Sequence, residues 1–250
     1  MCTAFIKRGD DLLFGYNLDI DPAVWNYSII KKKSIFTVGI RLGSTLYYTH
    51  GVNEEGHFAN LPYMNGADVG HRGVGRGQYR IDLLVDRYLR GKLSYRQVSE
   101  IAGSKTLVSG AGASVHALVG DGEGHILLLE PSYGVREIRE TCACVTNFPL
   151  IPALPDYSNP FYGKERYDRA CSILRSADDS FSALDGMELL KTVKQEGQWG
   201  TRLSFVYSRR ENAVYFCTDG EFGHMEKWQL GEPSAKNNRV EPVGEGDTLC

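Results

Sequence analysis

Apolar and polar positions alternate through the first part of the chain. Residues 3–7 and 12–16 carry Phe, Ile, Leu and Tyr on either side of the polar stretch Arg8-Gly9-Asp10-Asp11, which predicts a β-hairpin. Short runs rich in Val, Ile, Phe and Tyr at 27–30, 35–40, 45–49 and 57–60 predict further strands. The period then changes. Ile81, Leu84, Val85 and Tyr88 recur at three- and four-residue intervals, which predicts a helix over 78–90. A second helix is expected at 94–101, where Ser94 and Gln97 resemble a capping box. Strands return at 115–119, at 126–130 across the turn 120–124, and at 142–146. A proline-bearing stretch at 149–162 reads as a surface loop. Helices follow at 164–175, with Tyr167, Ala170, Cys171 and Leu174 on one side, and at 184–195. A hairpin of 202–207 and 213–218 and a strand at 223–230 complete the pattern.

Strands, helices, strands and helices in this order fit an α+β layered architecture better than a parallel βαβ sheet. The expected arrangement is two antiparallel sheets between two helix layers. No repeat or low-complexity linker divides the chain, so residues 1–230 are read as one domain and 231–250 as a loosely held polar tail.

Composition narrows the function. The 250 residues are 42% hydrophobic and 24% charged, enough to bury one substantial core. A net charge of -3 supplies no broad positive field, which excludes nucleic acid as the expected partner. No apolar run approaches the ~20 residues that span a bilayer, and the first residues lack a secretory pattern. A cytoplasmic protein with reduced thiols is therefore expected. The six cysteines form no CxxC pair, and His50, His57, His71, His116, His125 and His224 form no close pair, so no metal site is expected. Cys142, Cys144, Cys171 and Cys217 read as packing residues, and Gly73 to Gly77 fits neither a dinucleotide nor a P-loop pattern.

The chemistry is expected at Cys2. Loss of Met1 leaves a thiol and a free α-amino group on one residue. That amine, with a pKa of about 7.7–8.0, can accept the thiol proton near neutral pH. The thiolate is a strong nucleophile.

Separated pieces of the sequence, in order, carry a resemblance. They are Met1-Cys2-Thr3, Gly15-Tyr16-Asn17-Leu18-Asp19, Gly51-Val52-Asn53-Glu54-Glu55-Gly56 leading to Asn60-Leu61-Pro62, Val145-Thr146-Asn147 with Pro149, and Thr201-Arg202. In this set the chain resembles the choloylglycine hydrolase family of N-terminal-nucleophile hydrolases, which includes bile salt hydrolases and penicillin V acylases. The resemblance implies a four-layer αββα sandwich, a small-molecule N-acyl amide substrate and no cofactor. It also implies site roles. Asp19 holds the freed amine. Asn60 and Asn147 line the oxyanion site or orient the nucleophile. Arg202 supplies a cation near the thiol. A homo-oligomer is expected on the same ground alone.

One position departs from the family's pattern. Tyr16 stands where an arginine is usual, and is read as a substrate-binding residue; a phenol donates a hydrogen bond but carries no fixed charge. Three readings stay open: hydrolysis of a linear amide through a thioester, acyl transfer from the same acyl-enzyme, and a catalytically silent member that binds. Arg8 and the run Lys31-Lys32-Lys33 are alternative sources of positive charge.

Overall fold

A computed structural model of the chain describes residues 2–65, 75–110, 113–151, 163–231 and 241–243. The N-terminal hairpin forms from β1 (Cys2–Arg8) and β2 (Leu12–Asp19), followed by β3 (Tyr27–Lys32), β4 (Ile35–Leu42), β5 (Thr45–Asn53) and β6 (Phe58–Ala59). The short β7 (Gln78–Arg80) leads into α1 (Ile81–Leu89) and α2 (Tyr95–Ser104). Next come β8 (Thr106–Val108), β9 (Ala117–Gly120), β10 (Ile126–Glu130), β11 (Gly134–Glu137) and β12 (Cys142–Val145). Then follow α3 (Lys164–Ser176), α4 (Ala183–Thr192), β13 (Thr201–Ser208), β14 (Ala213–Thr218), β15 (Glu226–Gln229) and β16 (Glu241–Val243).

Two antiparallel sheets result. One runs β12-β1-β2-β13-β14-β15, the other β11-β10-β9-β6-β5-β4-β3-β16, and β7 and β8 make a small parallel pair apart from both. Strand side chains alternate faces, so each sheet buries two sets of residues. Cys2, Ala4 and Ile6 of β1 and Phe14, Tyr16 and Leu18 of β2 meet Phe36, Val38 and Val52 of the other sheet in a central core. On the opposite face, Phe5, Leu13 and Val206 pack with Ala170, Leu174, Met187 and Leu190 of α3 and α4. The second sheet buries Ala117, Val119 and Leu129 against Ile81, Leu84, Val85 and Tyr88 of α1. The expected α+β, four-layer αββα architecture is the one observed.

The elements differ from the sequence pattern where tertiary bonds intervene. Ser94 caps α2 through the expected capping box, and Ser182 caps α4 through a second one with Asp185. The helix expected over 184–195 stops at Thr192, because the Gln195 amide donates to Thr201 Oγ1 and its carbonyl accepts from the Thr201 amide. The backbone is thus drawn toward β13 before the helix can use it. Residues 78–80 extend rather than coil, since they pair with β8. The tail expected from Gly231 onward contributes β16, paired with β3. Residues 152–162 of the expected surface loop lie outside the described residues.

Candidate active site

Antiparallel order brings the site together. In the sequence of neighbours β12, β1, β2, β13, the end of one strand lies beside the start of the next, so Cys2, Asp19, Asn147 and Thr201 gather along one end of the six-stranded sheet. Cys2 pairs with Leu18, and Thr201 with Asp19.

The Cys2 backbone nitrogen donates to Asn147 Oδ1 at 2.9 Å. Asn147 Nδ2 donates to the Tyr63 carbonyl at 2.6 Å, which fixes the amide's orientation. Asp19 accepts from Thr201 Oγ1 at 2.6 Å and from Gln195 Nε2 at 2.8 Å, and faces Arg166 Nη1 at 3.6 Å. Burial pushes the Asp19 carboxyl up to about 6, although Arg166 and the Thr201 hydroxyl pull it down. Burial also raises the Cys2 thiol; the chain's ammonium opposes this, the Asp19 charge adds to it, and the Tyr16 hydroxyl and the Asp19 amide weakly oppose it.

Arg166 is the residue that the sequence reading missed. Its Nη1 donates to the Cys2 carbonyl at 2.7 Å and to Thr3 Oγ1 at 2.8 Å, and its Nη2 donates to Asn147 Oδ1 at 2.9 Å. The signal was available: Arg166 stands four and eight residues before Ala170 and Leu174, a permanent cation on the apolar stripe of α3. Gly163 makes room for it. With φ of 74° it is in the left-handed region, and a Cβ there would lie 2.3 Å from Arg166 Nη2.

Arg202 faces a different carboxylate. It is the extra residue of a β-bulge, since Thr201 pairs with Asp19 while Leu203 pairs with Leu18. Its Nη1 faces Asp219 Oδ1 at 3.6 Å, and the cation clamping the Cys2 backbone is Arg166 instead. Asn60 is fully buried, with Oδ1 accepting from the Leu118 amide at 3.1 Å and Nδ2 without a hydrogen-bond partner.

Tyr16 is fully buried and lies diagonal to Cys2 on the same face of the β1–β2 pair, since Ala4 pairs with Tyr16 and Cys2 with Leu18. Its ring stacks on that of His50, with centroids 4.5 Å apart, and its hydroxyl lies 3.4 Å from His50 Nε2. His50 reaches this layer because it stands two residues from Val52 on β5 and directly opposite Val38 of β4, both in the central core; Thr49, beside it, is the extra residue of a bulge, since Gly39 pairs with Tyr48.

Cys2 opens on a cavity of about 640 Å³. Its walls are mainly apolar and include Leu18, Ile20, Trp25, Ile40, Leu61 and Val115. Arg80 and Asp82 also reach it, ion-paired to each other. Among the described residues, the three potential metal ligands Asp121, Glu123 and His125 cluster in the turn after β9, where Asp121 Oδ1 already accepts from the amides of Glu123 and His125. No described helix is long and apolar enough to cross a membrane.

No family model matches the sequence, and no curated protein matches it. Solved structures do match in fold. A variant of the conjugated bile acid hydrolase from Clostridium perfringens aligns with a TM-score of 0.67 at 13% identity, covering 100% of this chain and 98% of that one. Penicillin V acylase from Agrobacterium tumefaciens gives 0.52 at 14% identity, with 87% and 83% covered. A Caenorhabditis elegans ortholog of N-acylethanolamine-hydrolyzing acid amidase gives 0.57 at 16%, with 83% and 93% covered. These are N-terminal-nucleophile hydrolases, and the chain shares their fold.

Proposed function

We propose that the chain is a cysteine N-terminal-nucleophile amidohydrolase that cleaves linear N-acyl amides with an apolar acyl group. One observation carries the reading: the Cys2 nitrogen is held by Asn147 Oδ1, beside Asp19 and Arg166, where the sulfur opens on a largely apolar cavity.

Cleavage of the Met1–Cys2 bond turns that nitrogen into an amine. The amine takes the thiol proton, and the sulfur attacks the substrate carbonyl carbon. Asn147 and Asp19 hold the amine in place rather than make it a stronger base, since a nearby carboxylate favours the ammonium. The tetrahedral intermediate collapses when the ammonium returns its proton to the departing amine, leaving a thioester. Water, deprotonated by the same amine, then cleaves the thioester and restores the thiol. The orphaned amide of Asn60 is a donor whose protonation does not change with the reaction, a property suited to an oxyanion. The cavity takes the acyl chain.

Intact mass measurement with an electrophilic thiol reagent, together with turnover of penicillin V, conjugated bile salts, N-acylethanolamines and N-acyl amino acids, tests this. Loss of Met1, selective labelling of Cys2 and turnover abolished in Cys2→Ala are expected. Equal turnover by wild type and Cys2→Ala, or retention of Met1 in active protein, would reject it.

A further inference from the structure

The position where a phenol replaces the expected arginine holds a second side chain that sequence reading set aside. His50 lies on β5 of the opposite sheet, is 3% exposed, and faces the central layer together with Val52 and with Val38, its partner on β4. Its Nδ1 accepts from the Leu61 amide at 3.0 Å. A neutral imidazole with Nδ1 so engaged carries its single proton on Nε2. Nε2 is the atom 3.4 Å from the Tyr16 hydroxyl, so it can donate to that oxygen but cannot accept from it. The phenolic proton is left for the other polar neighbour, Cys2, which lies diagonal to Tyr16 on the same face of the adjacent strand.

We propose that Tyr16 is a catalytic hydrogen-bond donor to the Cys2 sulfur, and that His50 is a positioning residue that denies the phenolic proton any other acceptor. The proposal rests on the reading of Cys2 as nucleophile and adds how its thiolate is stabilised without an adjacent arginine side chain on β2. Burial holds His50 neutral, its pKa lowered to about 3, which keeps Nδ1 an acceptor and the direction of the chain fixed. Burial and the neighbouring sulfur hold the Tyr16 phenol well above its ordinary value, so Tyr16 donates without losing its proton. When the thiol ionises, its proton goes to the Cys2 amine and the hydrogen bond from Tyr16 becomes charge-assisted. Attack on the carbonyl consumes the sulfur's charge, and hydrolysis of the thioester returns it. The hydrogen bond is therefore strongest in the states on either side of the acyl-enzyme.

The groups that face the sulfur set the pH dependence. They are the Asp19 carboxyl and amide and the Tyr16 hydroxyl, with Arg166 on the Cys2 carbonyl and His50 behind Tyr16, joined in the processed chain by the amine of Cys2 itself. Of these, Tyr16 and His50 are the two whose removal leaves the amine's tether to Asn147 and Asp19 intact.

Iodoacetamide labelling of Cys2 in the processed protein, followed by mass against pH, reads the thiol directly without any substrate. In Tyr16→Phe the apparent thiol pKa should rise by roughly one to two units, the size of a lost hydrogen bond to a charged group. 3-Fluorotyrosine placed at position 16 keeps the shape, acidifies the phenol and should shift the pKa the other way, which covers the case of a poorly folded Phe variant. His50→Gln should give a rise smaller than that of Tyr16→Phe, because the hydroxyl remains but is free to point elsewhere. Wild-type labelling profiles in both Tyr16 variants would overturn the proposal while leaving Cys2 as nucleophile. Absence of labelling at Cys2 in every protein, wild type included, would strike the nucleophile reading instead.

Discussion

Asp19 is a carboxylate surrounded by groups that favour its charge and a protein interior that opposes it. Burial wins: the folded carboxyl keeps its proton up to about pH 6, whereas its ordinary value is 3.8. Between these values the folded chain binds more protons than the unfolded chain, so stability falls as pH rises through the interval and stays reduced above it. The deficit corresponds to about 3 kcal/mol at neutral pH. Thermal melts of wild type and Asp19→Asn from pH 4 to 7.5 should therefore diverge, the wild type losing more stability with rising pH. Processing moves the chain's ammonium from Met1 onto Cys2, whose nitrogen is held by Asn147 at the site, so the processed chain should show a smaller divergence than the precursor. Parallel curves for wild type and variant in both forms would contradict the account. Arg166 makes a second contrast at this scale. Arg166→Ala unclamps Cys2, Thr3 and Asn147 and should cost on the order of 3 kcal/mol, with a large loss of turnover. Arg202→Ala should leave both the Cys2 labelling profile and turnover near wild type, because its guanidinium faces Asp219. The meeting of Cys2 and Asp19 was legible because both stand in short motifs on paired strands. Arg166 was not, since its part in the site depends on α3 crossing the end of β1 and β12.

At the scale of elements, what could be read in advance was what depends on local periodicity. The apolar stripe of α1 and the Ser94 capping box are written in neighbouring residues, and both are present as expected. β11 was missed because all its residues are exposed and no alternation marks it. The two bulges were invisible for a different reason: an extra residue exists only relative to a partner strand, and the chain does not state its register. Yet register decides the site: the pairing of Val38 with His50 turns His50 to the face that meets Tyr16, and Arg202 is the unpaired residue between Thr201 and Leu203. Gly51, next to His50, is the position where this register is most sensitive. A Cβ at Gly51 would lie 2.2 Å from the Phe36 carbonyl oxygen and 2.6 Å from Thr37 Cα, both backbone atoms of β4. Gly51→Ala should thus push β5 from β4, costing roughly 1–3 kcal/mol in urea unfolding. Its labelling profile at Cys2 should also move toward that of His50→Gln. Unchanged stability would mean that the two strands separate without strain.

At the scale of the whole molecule, the site is a seam. The six-stranded sheet supplies Cys2, Tyr16 and Asp19, the eight-stranded sheet supplies His50, and α3 supplies Arg166, so these residues meet only where two sheets and a helix come together, and the cavity opens beside them. Its apolar walls have a measurable consequence. Each methylene moved from water into such a wall contributes about 0.8 kcal/mol, an upper bound of about fourfold in kcat/KM per added carbon. A homologous series of N-acyl amides should therefore show kcat/KM climbing with chain length until the cavity is full, then levelling. Ala113 lines the same space, and Ala113→Phe places a ring inside it. The variant should match wild type on the shortest acyl chains and level off several carbons earlier on the long ones. This separates the cavity from the nucleophile: a uniform loss across the series would point to damage at Cys2, and an unchanged plateau would show that the acyl chain lies outside the cavity.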